Sequence, residues 1–151
     1  MVTGGGPGIM EAANRGAFEA GGISLGMAIK LPKEQAVNKY LTNYVEFEYF
    51  FSRKTLLYFS AESYVYFPGG FGTLDEMTEM VTLVQTGKIP ANVPIILFGK
   101  AYWGPFLEWM KQVTCKQHHF VEKKEMDIIH LVDTTDEVVK IIQKTFERPF
   151  G

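Results

Sequence analysis

The chain has 151 residues, with fifteen lysines and arginines against seventeen aspartates and glutamates and a formal charge of −2. Apolar residues make up 46% and charged residues 21%, a balance that excludes a disordered chain and fits one domain around a single core. No basic run points to DNA or RNA, no apolar run approaches the ~18 residues that cross a bilayer, and the lone Cys115 excludes an intrachain disulfide and points to a reducing, cytoplasmic setting.

Met1-Val2-Thr3 reads as the end of a strand running into Gly4-Gly5-Gly6-Pro7-Gly8, and so short a strand implies that a preceding segment is absent. Residues 9–20 have helical spacing and stop at Gly21-Gly22. Residues 23–29 form a short apolar strand, and residues 30–41, with Pro32 and mixed charge, a loop that passes near the site. Residues 44–49 alternate as a strand does, and Ser52 is a predicted N-cap for a helix to residue 61. A strand at 64–67 is stopped by Pro68-Gly69-Gly70. The helix at 73–86 carries Leu74, Met77, Met80, Val81 and Val84 on its core face and is closed by Gly87. Strands at 93–98 and 128–132, with helices at 105–116 and 135–146, complete the chain. This alternation predicts an α/β fold, a three-layer, Rossmann-like open parallel sheet with helices on both faces.

Two glycine-rich turns stand at strand ends: Gly4 to Gly8, and Pro68-Gly69-Gly70-Phe71-Gly72-Thr73. Glycines there let backbone come close to a ligand, and the N–H groups of the following helix then face an anion. A single such turn is as readily explained by tight chain reversal; two in one short domain favour phosphate. The first turn is not the dinucleotide fingerprint, because Ile9 occupies the final glycine position and residues 24–31 contain no acid for a ribose diol. Gly87-Lys88 is followed by Ile89, so no Walker A loop is present. A monophosphate fits best, with Gly5, Gly6, Gly8, Gly69, Gly70, Gly72 and Thr73 as its expected binding residues.

Arg53 and Lys54 fall in the first turn of the predicted helix after Ser52, where the macrodipole opposes cations unless an anion lies nearby. A solvated surface pair is the alternative. Glu76 follows Thr73 at capping-box spacing, so it is either a structural cap or a carboxylate beside the phosphate turn, with Glu79 on the same face. His118, His119 and His130 have no partner at metal spacing. Phe47, Tyr49, Phe50 and Phe51 could stack on a base, though core or subunit packing is the commoner use. No Gly-x-Ser-x-Gly elbow is present, and nothing singles out a Schiff-base lysine with an acidic partner for pyridoxal phosphate. No cofactor is expected.

On the stretches Gly4 to Ala12, Arg53-Lys54 and Pro68 to Glu76, the chain resembles the LONELY GUY family of cytokinin riboside 5′-monophosphate phosphoribohydrolases, long labelled lysine decarboxylase-like. The resemblance implies hydrolysis of the N-glycosidic bond of a nucleoside 5′-monophosphate to free base and ribose 5-phosphate. It implies Arg53 and Glu76 as the catalytic pair, a homodimer or larger homo-oligomer, and a strand and helix before the first glycine turn. Phe50-Phe51, where many members carry Met-His, and Gln85-Thr86-Gly87-Lys88 resemble the bacterial branch. The alternative is a nucleotide-binding or carrier module of the same fold without turnover.

Overall fold

The computed structural model describes residues 1–31 and 36–144. It divides into two compact units, Met1–Ala61 and Glu62–Gly151, each a three-stranded parallel sheet with helices. The α/β class with parallel strands follows the alternation of apolar runs and amphipathic segments along the chain.

In the first unit the strands β1 (Val2–Thr3), β2 (Leu25–Ile29) and β3 (Asn43–Phe47) lie in that order, with Val2 opposite Leu25 and Gly26 opposite Tyr44. β2 is central, so Gly26, Met27 and Ala28 are all buried, as parallel strands flanked on both sides require. The strand opens two residues later than the apolar run suggests, because Ile23 is exposed and precedes the ladder. β3 is an edge strand and its first four residues are exposed. Helix α1 (Ile9–Glu19) packs against β1, and α2 (Phe50–Phe59) against β2 and β3.

Helix α2 begins before Ser52. Tyr49 occupies the N-cap position without a side-chain cap, and the Ser52 hydroxyl instead donates to the Tyr49 carbonyl at 2.9 Å from within the first turn. Arg53 N–H donates to the same carbonyl at 3.3 Å, so Arg53 and Lys54 open the second turn rather than the first. Their conflict with the helix dipole is correspondingly weaker than the sequence implied. Of the expected loop at 30–41, Pro32 and its three followers lie outside the described residues.

In the second unit β4 (Tyr64–Tyr66), β5 (Ile95–Phe98) and β6 (Ile129–Val132) run parallel in that order. β5 is central, and Ile95, Ile96 and Leu97 are completely buried. Met77, Met80 and Val84 of α3 (Phe71–Gln85) supply the helical side of this core, as their spacing predicted. Trp103 joins them, fully buried, from α4 (Lys100–Trp109).

Helix α4 starts five residues before Pro105, and the proline sits inside the helix. The turn that sets this start is Gly99, whose φ of 107° lies in the left-handed region. A proline at the sixth position removes the N–H that would bond Ala101, and the helix then runs on as a π-helical segment, Met110–Gln117. A 3₁₀ segment, Lys123–Ile128, precedes β6, and α5 (Thr135–Ile142) closes the described chain. The predicted end of that helix at Phe146 lies outside the described residues.

Candidate functional site: two glycine turns and their clasps

The first turn leaves β1 and enters α1. Gly5 takes a φ of 75° and is buried with Gly6, while Gly8, at φ 72°, is the exposed N-cap of α1 and meets nothing where a Cβ would project. A buried polar network holds this turn. Asn38 Nδ2 donates to the carbonyls of Gly5 (3.1 Å) and Gly6 (3.2 Å), and its backbone N–H donates to Gly5 as well, at 2.8 Å. Asn14, fully buried in α1, accepts from Asn38 Nδ2 at 3.0 Å and from the Thr3 hydroxyl at 2.6 Å. It also donates to the Ser24 hydroxyl at 2.9 Å. The carbonyls of the buried Gly5 and Gly6 thus find partners, as buried polar groups require.

Arg53 reaches this turn from α2. A Cβ on Gly4 would come within 3.2 Å of Arg53 Nη1 and 3.0 Å of Met10 Sδ, so the missing side chain at Gly4 is what lets both approach the loop. The guanidinium carbon lies 5.5 Å from the centre of the Phe50 ring, a cation–π distance. Arg53 and Lys54 are both half-buried. Tyr49, Phe50 and Phe51 are more than half exposed, so of core packing, subunit packing and base stacking only the first is removed. Alternate side chains of an edge strand and the start of a helix laid on it face outward, whatever their apolarity.

The second turn leaves β4 and enters α3. Its N-cap is Gly70, not Thr73, and no side chain caps it. The capping-box reading of Thr73 and Glu76 is therefore overturned: both lie inside the helix, with Thr73 at its third position. The Thr73 side chain folds back instead onto Gly69, so closely that a Cβ there would collide with the Thr73 hydroxyl. Gly70 and Gly72 meet nothing within 4 Å at the Cβ position, so there is open space where their side chains would project.

Glu76 and Glu79 are both half-buried. The buried Tyr66 hydroxyl donates to the Glu76 carbonyl at 3.3 Å. Burial, and then the charges of Glu76, Tyr64 and Glu79, push the Tyr66 phenol far above its ordinary range, so it remains a neutral donor. The charges of Glu76 and Glu79 are thus felt at the phenol of the strand that feeds the glycine turn.

Sequence reasoning passed over the residues that hold each turn. Tyr102, in the first turn of α4, donates its hydroxyl to the Gly69 carbonyl at 2.5 Å. Asn38 does the corresponding task for Gly5, and each partner lies 33 residues along the chain. Asn14 carried the better signal, since an asparagine inside an amphipathic helix asks for a buried partner.

Two other helix starts, those of α4 and α5, are closed by side chains. Asp133 accepts from the Lys100 N–H of α4 at 2.7 Å, and Thr134 with Glu137 forms a capping box on α5. The N-caps of α1 and α3 are the glycines Gly8 and Gly70, without a side-chain cap. Among the described residues no group of three His, Cys, Asp or Glu is placed to hold a metal ion. No helix of the described residues is long and apolar enough to cross a membrane.

A family model described as "possible lysine decarboxylase" matches residues 10–142, and the chain belongs to that family, which includes the LONELY GUY proteins. The match takes in Arg53 and the whole Pro68 to Glu76 turn, and begins just after Gly4 to Gly8. No curated protein matches the chain. The family's description implies a Schiff-base lysine, which needs burial to lose its proton at neutral pH. Among the described lysines none is buried and only Lys54 is half-buried, so these residues do not fit pyridoxal chemistry.

Proposed function

We propose that the protein hydrolyses the N-glycosidic bond of a nucleoside 5′-monophosphate, of the AMP or cytokinin riboside monophosphate type, releasing free base and ribose 5-phosphate. The observation that carries this reading is the turn before α3. It has no side-chain cap, Gly70 and Gly72 have open space where a side chain would project, the Thr73 hydroxyl lies against Gly69, and Glu76 is one turn further along. Such a helix start takes a phosphate dianion through N–H groups and dipole together.

In this mechanism the amides of the turn and the Thr73 hydroxyl hold the 5′-phosphate, with Gly69, Gly70 and Gly72 allowing its close approach. The first turn, with Gly5, Gly6, Gly8 and Lys54, serves the nucleotide as well. As the bond from C1′ to the base nitrogen breaks, its electron pair leaves with the base and positive charge develops on the ribose. Glu76, ionised, stabilises that charge and orients or deprotonates the attacking water, with Glu79 as a second carboxylate toward the ligand. Water supplies the hydroxyl at C1′ and the proton gained by the base. Arg53 acts on the ribose hydroxyls or on the departing base. A homodimer or larger homo-oligomer belongs to this reading, and the exposed Tyr49, Phe50, Phe51 and Phe59 supply apolar surface for it.

The test is chromatography for free adenine after incubation with AMP, run on wild type and Glu76→Gln. Loss of one well-placed charge lowers kcat by about 10²–10³. Turnover in Glu76→Gln equal to wild type removes Glu76 from the mechanism. A melting-temperature rise with AMP and no adenine from wild type makes the protein a nucleotide-binding module instead.

A further inference from the structure

Resting on this reading, we infer that Tyr102 is a positioning residue of the phosphate turn: its hydroxyl sets the Gly69–Gly70 peptide so that the Gly70 N–H faces the anion. Two adjacent glycines leave the peptide between them with almost no steric barrier to rotation. Within the turn, nothing lies within 4 Å of the Cβ position of Gly70, so packing does not select one orientation at that residue. The hydroxyl of Tyr102 does, by donating to the Gly69 carbonyl at 2.5 Å.

The carbonyl and the N–H of a trans peptide point in opposite directions. Held toward Tyr102 by its carbonyl, this peptide turns the Gly70 N–H to the opposite side, over the open start of α3. The donor is itself fixed. Tyr102 N–H bonds the Gly99 carbonyl at 3.1 Å, and the ring stands edge-on to the buried Trp103, with centroids 4.9 Å apart. Gly99 in turn abuts the Pro68 ring, since a Cβ there would meet it at 3.5 Å. The end of β5 and the first turn of α4 therefore form a clasp on one side of the turn and leave the other for a ligand. Tyr102 does not touch substrate in this arrangement; it acts through the peptide it holds.

Tyr102→Phe keeps the ring and removes the bond. The expected result is a rise of about three- to tenfold in KM for AMP and in the inhibition constant of ribose 5-phosphate. Adenine as product inhibitor is expected to bind unchanged, with kcat within about twofold of wild type. Unchanged ribose 5-phosphate binding, or equal weakening of both products, overturns the inference. A purely structural role would weaken both. Independently of any variant, the Gly70 amide resonance of wild type is expected to move on titration with ribose 5-phosphate; if Thr73 moves and Gly70 does not, the inference falls. Wild type that releases no adenine from AMP defeats the hydrolase reading, and this inference with it. Release of adenine by wild type together with an unchanged KM for AMP in Tyr102→Phe defeats the inference alone.

Discussion

Asn14→Ala tests whether the first turn is held by its buried network. The substitution deletes the side-chain amide that accepts from Thr3 and Asn38 and donates to Ser24, at 2.6, 3.0 and 2.9 Å. Each partner keeps another bond: Thr3 Oγ1 still accepts from Gly5 N–H, Asn38 still donates to Gly5 and Gly6, and Ser24 still donates to the carbonyl of residue 14. None of Thr3, Asn38 and Ser24 is orphaned outright, so the loss is three bonds at roughly 1 kcal/mol each and a longer, weaker one from Asn14 Nδ2 to the Leu25 carbonyl at 3.5 Å, about 2–4 kcal/mol in all. Urea unfolding followed by circular dichroism reads this directly. With an m-value of about 2 kcal/mol/M, the midpoint falls by roughly 1–2 M. Because one bond joins the two asparagines, Asn14→Ala and Asn38→Ala together are expected to cost less than their sum, by about 0.5 kcal/mol or more. A loss below about 0.5 kcal/mol, or strict additivity, refutes the claim that these residues form one unit.

Arg53→Ala is expected to lower kcat on AMP by about 10²–10³ while leaving the circular dichroism spectrum intact, and unaltered turnover removes Arg53 from catalysis. Gly69→Ala forces a Cβ into the Thr73 hydroxyl and is expected to cost about 1–3 kcal/mol in urea unfolding, whereas Gly72→Ala, in open space inside a helix, should stabilise by roughly 0.4–1 kcal/mol. Equal effects at the two glycines would contradict the packing described. Hydrogen bonds from the Asp133 and Thr134 N–H groups and the Thr134 hydroxyl hold the Glu137 carboxyl below its ordinary 4.5. A depressed carboxylate stabilises the fold above its unfolded pKa and loses that contribution as pH falls through the folded value. The stability difference between wild type and Glu137→Gln is therefore expected to be level above about pH 5 and to shrink below pH 4.5. A difference that grows on acidification would reverse the assignment.

Sequence alone disclosed the α/β class because periodicity is local: Ile95-Ile96-Leu97 announces a central parallel strand, and Met77, Met80 and Val84 announce the helix covering it. Helix starts were less legible. Ser52, Thr73 and Pro105 are residue types that commonly open helices, yet the starts fall at Tyr49, Gly70 and Gly99, where backbone conformation rather than a side-chain cap makes the turn. That misreading mattered at Thr73, since it made Glu76 look like a cap. The glycine turns were visible as motifs, but not their clasps. Asn38 and Tyr102 bond carbonyls 33 residues earlier, and nothing in local spacing encodes which hydroxyl or amide will meet which carbonyl after folding.

The distance in sequence between each turn and its clasp bears on any attempt to move the motif. A designer who splices Pro68 to Glu76 into a foreign sheet transfers the amides and the carboxylate together. The tyrosine that aims the turn stays behind on another helix. A graft of this kind needs two insertions, one of them a single hydroxyl placed across the strand from the other.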